Sequence, residues 1–390
     1  PEKFNGTVLV YSHGYRVSTP IPAALAVPLG LNTGAYKPIS YPAFAPSFGS
    51  SVAYQASNEP DIAPTPVVAA NLLAQGYALA GSGYARQGWA ANEGVEAGEK
   101  LISYINSGAI AGKKKVMVWG NSLGGLISET IADQNPGKVA GVLASCGTTG
   151  PMESFETAMT VMQTWKTLIA PNLKVANYTA GAAGYSEALG DLATVITLLG
   201  GAATNPVTPA GYPFAQANLL AGLMAGLPTK SNVYDGQTQN PAFASLGTLA
   251  ALGGGFQPAS AGGSTAVAML QNVGAAAALG ILGRYEMEMK VRQIGQIPPN
   301  ESANVTDNVN VRYSKLLSPE QRGEFGDTLN ATTVIADPLN TMLGVLDSTR
   351  GSKTARFPGN PKAMAIMMGL AAPKGTYKVP TLLITTTYDT

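Results

Sequence analysis

Residues 116–125 read Val-Met-Val-Trp-Gly-Asn-Ser-Leu-Gly-Gly, and this stretch decides how the rest of the chain is interpreted. An apolar run typical of a buried strand ends in the pattern G-x-S-x-G and leads into a helical pattern over residues 126–134. A serine on such a tight turn has its hydroxyl pushed out of the sheet, and Gly120 and Gly124 leave room for the backbone. Ser122 is therefore the candidate nucleophile, with helix amides aimed at any oxyanion formed there.

The pattern alone is weak, because a chain with 46 glycines produces G-x-S-x-G by chance. Its position between a strand and a helix favours the functional interpretation.

Composition limits the function classes. The 390 residues suffice for one large domain or for a domain with a big insertion, and only 12% of them are charged, about half the usual share. The net charge of +1 gives no electrostatic reason to expect nucleic acid or an acidic membrane surface as a partner. A surface of low charge, rich in small polar residues, suits a secreted protein.

The small numbers of cysteine and histidine residues exclude internal disulfides and the common zinc sites. The single cysteine, Cys146, cannot form an internal disulfide, and because it follows an apolar strand we expect a buried core thiol. One cysteine and one histidine exclude the common zinc sites. The chain has neither a Walker loop nor G-x-G-x-x-G after a strand, so we expect no metal and no cofactor.

Alternating strand and helix patterns predict an α/β fold with a mostly parallel sheet and helices on both faces. The expected strands are residues 7–12, 77–82, 116–119, 139–145 and 381–387. The expected helices between the first four are residues 66–75, 93–106 and 126–134.

A long, mainly helical insertion interrupts this pattern from about residue 147 to 378. Residues 152–169 have apolar side chains at helical spacing, and Ser318 with Gln321 forms a capping box around Pro319. Glu286 with Lys290, and Glu288 with Arg292, are spaced as helical ion pairs. The apolar stretch at residues 266–282 is too short and too rich in Ala and Gly for a membrane span.

Three landmarks in fixed order suggest a family. They are Tyr-Ser-His-Gly-Tyr at residues 11–15, Gly-Asn-Ser-Leu-Gly at 120–124, and a strand leading to Asp389. This arrangement resembles the α/β-hydrolase fold, over about residues 7–146 and 379–390. The resemblance implies a core at residues 1–146, a cap or lid at 147–378, and a core strand carrying the triad acid at 379–390.

The resemblance also implies roles for single residues. The amides of Leu123 and Tyr15 would stabilise the oxyanion, and His13 and Gly14 would support that loop. Asp389 would be the acid that orients the catalytic histidine. Asp389 could instead cap its own loop, with Glu153 as a reserve acid or as an ordinary first-turn helix residue.

The catalytic base is the main departure from the family. The only histidine, His13, belongs by resemblance to the oxyanion loop, where an imidazole holds backbone by hydrogen bonds. We therefore expect the chain to be an internal portion of a longer hydrolase, whose C-terminal segment supplies the base. If the chain is complete, a conventional triad cannot form.

Four residues are candidates for the substrate pocket: Asn121, Met152, Phe155 and Met159. Each apolar one could equally belong to the hydrophobic core of the cap. The expected function is a serine hydrolase that cleaves small or lipid-like carboxylic esters through an acyl-enzyme. The alternatives are a peptidase or amidase on the same scaffold, or a non-catalytic binding protein with this fold.

Overall fold

A five-stranded sheet, parallel throughout, combines four strands from the first part of the chain with one that follows the helical region. The computed structural model describes residues 3–16, 18, 21–22, 52–54, 59–147, 150–201, 206–226, 265–331, 334–370 and 373–384. The strands are β1 (Thr7–Ser12), β2 (Ile21–Pro22), β3 (Val52–Tyr54), β4 (Ala78–Gly81), β5 (Lys115–Asn121), β6 (Val142–Ser145) and β7 (Thr381–Ile384). The sheet order is β4-β1-β5-β6-β7, and β2 and β3 form a separate antiparallel pair.

The two central strands carry the most buried part of the sheet. Val8 and Val10 on β1 pair with Val116 and Val118 on β5, and all four side chains are at most 3% exposed. These four side chains share one face of the sheet, and neighbours on the opposite face, such as Leu9 and Met117, are partly buried. The predicted strand at residues 7–12 is confirmed, and the strand predicted at 139–145 begins only at Val142.

Three helices accompany these strands: α1 (Pro66–Ala74), α2 (Ala91–Tyr104) and α3 (Leu123–Gln134). Helix α1 begins at a proline after Thr65, whose side chain accepts a hydrogen bond from the amide of Val68. Helix α3 starts directly after Ser122, three residues earlier than the sequence pattern indicates.

The later region is mostly helical. Its helices, within the described residues, are α4 (Pro151–Leu168), α5 (Ala182–Gly201), α6 (Phe214–Met224), α7 (Thr265–Gly295), α8 (Pro319–Asn330), α9 (Pro338–Ser348) and α10 (Pro361–Met368). Helices α4 to α7 enclose a core of their own around Trp165, Leu220 and Tyr285. The predicted capping box at Ser318 is confirmed by its two hydrogen bonds with Gln321. None of the helices in the described ranges is long and apolar enough to cross a membrane.

Helix α7 is central to this region. Every residue from 281 to 292 is buried, and five of the twelve are charged. Each charged side chain bonds to another part of the fold, so the predicted ion pair between Glu286 and Lys290 is wrong. Lys290 pairs with Glu93 at 2.7 Å instead. Glu288 does interact electrostatically with Arg292, and it also accepts the amides of Asn177 and Tyr178.

Candidate active site

Ser122 forms a one-residue turn between β5 and α3. Its backbone has φ 55° and ψ −129°, a left-handed conformation that is rare for any residue with a Cβ. The turn is held by a hydrogen bond from the Ser122 amide to the Ser145 carbonyl at 3.0 Å and by one from the Gly125 amide to the Ser122 carbonyl at 2.9 Å. Ser122 is exposed, so its side chain stands at the surface rather than inside the sheet.

The glycines around Ser122 make this turn possible. A Cβ on Gly124 would lie 2.0 Å from the carbonyl oxygen of Ser12, and a Cβ on Gly120 would lie 2.2 Å from that of Gly124. Gly14 lies close to the same turn. A Cβ added at Gly14 would be 3.5 Å from the Ser122 Cβ and 3.9 Å from the Ser122 Oγ. The loop after β1 therefore passes directly beside the candidate nucleophile.

Strand order places this turn at the usual ligand-binding position of an open parallel sheet. The chain runs from β1 outward to β4 and then returns to β5 on the other side of β1. Ligands bind at the carboxyl ends of the strands where the winding direction reverses in this way. The loop after β1 and the turn at Ser122 both lie at this point.

The amide at the first position of α3 lacks an acceptor within the helix and could donate to an anion. The amides of Gly125 and Leu126 bond to the Ser122 carbonyl, whereas an amide at the first position of a helix has no intrahelical acceptor. Leu123 holds that position, with its side chain buried. Tyr15, the other predicted donor, follows Gly14 and is anchored by its hydroxyl, which donates to Glu286 Oε2 at 2.6 Å.

His13 is locked into the loop after β1. The ring is 3% exposed and stacks on Tyr84 at 3.9 Å, and its Nδ1–H donates to the Gly14 carbonyl at 2.8 Å. Its Nε2 atom is buried and has no hydrogen-bond partner among the residues that the structure describes. Burial, with a smaller contribution from Arg16, lowers the pKa of His13 to about 4. An imidazole held in this way stays neutral at ordinary pH and contacts the backbone of the loop after β1.

The predicted triad acid, Asp389, lies outside the described residues. Strand β7 runs parallel to β6, with Ile384 opposite Ser145, and the Cys146 amide bonds to the Ile384 carbonyl at 2.6 Å. The chain therefore leaves β7 at the same edge of the sheet that carries Ser122. Glu153, the reserve acid, is exposed in the first turn of α4 and lines a cavity of about 390 Å³ in the helical region.

The residues predicted for the substrate pocket fall into different surroundings. Asn121 accepts a hydrogen bond from the hydroxyl of Tyr11. Phe155 is buried with its ring 5.0 Å from Trp89, and Met152 packs against the same cluster. Met159 is buried in a different core cluster of the helical region and also lines the cavity beside Glu153.

Cys146 corrects one expectation. The thiol is exposed rather than buried, because β6 ends at Ser145 and the next residue turns away with φ 47°. In the part of the chain that the structure describes, no group of three or more His, Cys, Asp or Glu residues is arranged to hold a metal ion.

Sequence reasoning missed the contacts that α7 makes with this edge of the sheet. Lys290 Nζ donates to Asn92 Oδ1 at 2.6 Å and to the Trp89 carbonyl at 2.8 Å. Glu286 accepts from Tyr15 and from the Ser18 amide. One signal in the sequence could have indicated such contacts: every second residue from 284 to 292 is charged. In a helix these residues point in different directions, so they cannot all face solvent on one side.

Comparisons with protein-family models, curated proteins and solved structures found no significant match to this chain. Its function has to be inferred from the geometry of the site.

Replacing Gly124 by alanine should destabilise the fold. The added Cβ would lie 2.0 Å from the Ser12 carbonyl oxygen. Because this oxygen belongs to the backbone of β1, the clash is relieved only if α3 moves away from β1. We expect a loss of about 3 kcal/mol or more in the free energy of unfolding, measured by urea denaturation. The control is Gly190→Ala in α5, where nothing lies within 4 Å of the added Cβ. The free energy of unfolding of that variant should rise by about 0.5–1 kcal/mol. Equal changes in the two variants would contradict the close packing at Gly124.

His13 should titrate far below an ordinary histidine. Because its folded pKa is about 4 and the unfolded value about 6.5, the unfolded chain binds the extra proton between these values. This contribution to stability is complete above pH 6.5 and is lost as the pH falls toward 4, with a size of about 3 kcal/mol. The imidazole proton resonance of the only histidine reports the pKa directly.

The pH dependence of unfolding for His13→Asn should lack this component between pH 4 and 6.5. A midpoint near pH 6.5 in the native protein would contradict the burial described for the ring.

Proposed function

We propose that this chain is the core of a serine hydrolase of the α/β-hydrolase type, which cleaves carboxylic esters through an acyl-enzyme on Ser122. The observation that carries the proposal is the left-handed backbone of Ser122 on a strand-to-helix turn, with the side chain exposed at the carboxyl edge of a parallel sheet. Strain at a residue with a Cβ persists only where the surrounding structure enforces it, and such residues cluster at active sites.

In the proposed mechanism the Ser122 hydroxyl attacks the ester carbonyl. The bond to the alcohol breaks after a tetrahedral intermediate, whose oxyanion is held by the amides of Leu123 and Tyr15. Water then attacks the acyl-serine and releases the acid. Removing one oxyanion donor from such a site typically costs about 3–4 kcal/mol of barrier stabilisation.

The proton of Ser122 needs a base other than His13. His13 donates through Nδ1 to the Gly14 carbonyl and has its pKa lowered to about 4. The sequence has no second histidine, so the proposal assigns the base to a C-terminal segment of the same precursor, with Asp389 orienting it.

The burial of His13 and its bond to the Gly14 carbonyl also support a second candidate, a non-catalytic binding protein that keeps the fold without turnover. A peptidase or amidase would use the same groups. A small or lipid-like ester remains the proposed substrate class, and secretion remains a proposal based on composition. Comparing p-nitrophenyl esters with p-nitroanilides separates ester from amide hydrolysis.

A fluorophosphonate probe should label Ser122. The phosphonate mimics the tetrahedral intermediate, so reaction requires an activated serine with oxyanion donors. We expect labelling of the full-length native protein at the peptide containing Ser122, located by mass spectrometry, and its complete loss in Ser122→Ala. Ser145→Ala, at the end of the neighbouring strand, is the matched control and should label normally.

On residues 1–390 alone, added imidazole should accelerate labelling, because it replaces the missing base. A full-length protein that is folded but never labelled would support the non-catalytic candidate.

A further inference from the structure

One face of α7 contacts the loops that follow β1 and β4. Gly283, Glu286 and Lys290 are spaced three and four residues apart, which puts them on the same side of the helix. A Cβ on Gly283 would lie 2.8 Å from Trp89 Nε1, so the indole rests on the helix backbone. The Lys290 ammonium reaches the Trp89 carbonyl and Glu93 from one turn further along.

The Glu286 carboxylate binds the loop after β1 at two points. Its Oε2 accepts from the Tyr15 hydroxyl at 2.6 Å, and its Oε1 accepts from the Ser18 amide at 2.6 Å. Glu286 is only 6% exposed, and hydrogen bonds to a buried carboxylate are stronger than neutral ones. The two bonds fix both the Tyr15 side chain and the backbone three residues further on.

The loop after β4 contacts both the loop after β1 and the Glu286 carboxylate. The Gly88 amide donates to the Arg16 carbonyl at 2.6 Å, and a Cβ on Gly88 would lie 2.7 Å from Glu286 Oε2. Residues 14–16 are therefore held between Ser122 on one side and the Glu286 carboxylate on the other. A shift of this carboxylate would move the Tyr15 backbone relative to Ser122.

We propose that Glu286 is a positioning residue for the oxyanion site: it holds the loop after β1 so that the amide of Tyr15 stays directed at the oxyanion formed on Ser122. Glu286 touches no reacting atom and acts through Tyr15. This inference rests on the proposed function, because the oxyanion exists only if Ser122 is acylated.

The kinetic test uses Glu286→Gln, Tyr15→Phe and the double variant in the full-length protein. We expect kcat for a p-nitrophenyl ester to fall about 10- to 100-fold in each single variant with KM nearly unchanged, because a misplaced donor acts only in the transition state. The double variant should be no slower than the slower single variant, since both remove the same contact.

Glu288→Gln is the matched control. Glu288 is another fully buried carboxylate on α7, but it binds the amides of Asn177 and Tyr178 inside the helical region. Its variant should keep the kcat of the folded wild type even if it unfolds at a lower temperature. Equal losses in the Glu286 and Glu288 variants, or an unchanged kcat in Glu286→Gln, would overturn the positioning role.

A second measurement separates this role from the proposed function. In hydrogen exchange, Glu286→Ala should make the Ser18 amide, which donates to Glu286, exchange at least about tenfold faster, and Glu288→Ala should not. If no protein, wild type included, hydrolyses esters or reacts with the fluorophosphonate, the proposed function fails, and exchange alone decides whether Glu286 orders the loop. Unchanged exchange at the Ser18 amide in Glu286→Ala would overturn the inference.

Discussion

The contact between the start of α3 and the end of β1 is the constraint on which the site depends. At Gly124 the two backbones approach so closely that an added Cβ would meet the Ser12 carbonyl at 2.0 Å. The chain can reach this contact from β5 only through a sharp turn, and Ser122 makes that turn with a positive φ. The strain at this residue is therefore imposed by packing, and exposure of the serine follows from it.

A second constraint ties the helical region to the sheet. Helix α7 buries five charged side chains within twelve residues, and each finds partners elsewhere in the fold. Removing one partner of such a bond leaves a desolvated charge, which is far more costly than losing a surface ion pair. The face of α7 that carries Glu286 and Lys290 therefore stays packed against the loops behind the candidate site. Moving this face away would break the hydrogen bonds of these charged side chains.

Sequence patterns predicted the five strands of the sheet, because each is a short apolar run. The position of Ser122 followed from glycine spacing, which reports local backbone geometry. Partners across the fold were not predictable in the same way. Glu286 and Lys290 have ideal spacing for a surface ion pair, yet the helix is buried, Glu286 bonds to the loop after β1 and Lys290 bonds to the start of α2.

Two other differences have local causes. The Cys146 thiol was expected inside because an apolar strand precedes it, but a positive φ after the strand turns it outward. Met159 shares helical spacing with Phe155, and only the packing of α4 against its neighbours shows that the two lie in separate clusters. Periodicity identifies the buried side of a helix but not the element that covers it.

The most direct measurement is a crystal structure of the full-length protein after reaction with a phosphonate. We expect a covalent bond to Ser122 Oγ and one phosphonyl oxygen within hydrogen-bond distance of both the Leu123 and Tyr15 amides. A phosphonate bound to another residue, or an oxygen directed to solvent away from both amides, would contradict this expectation.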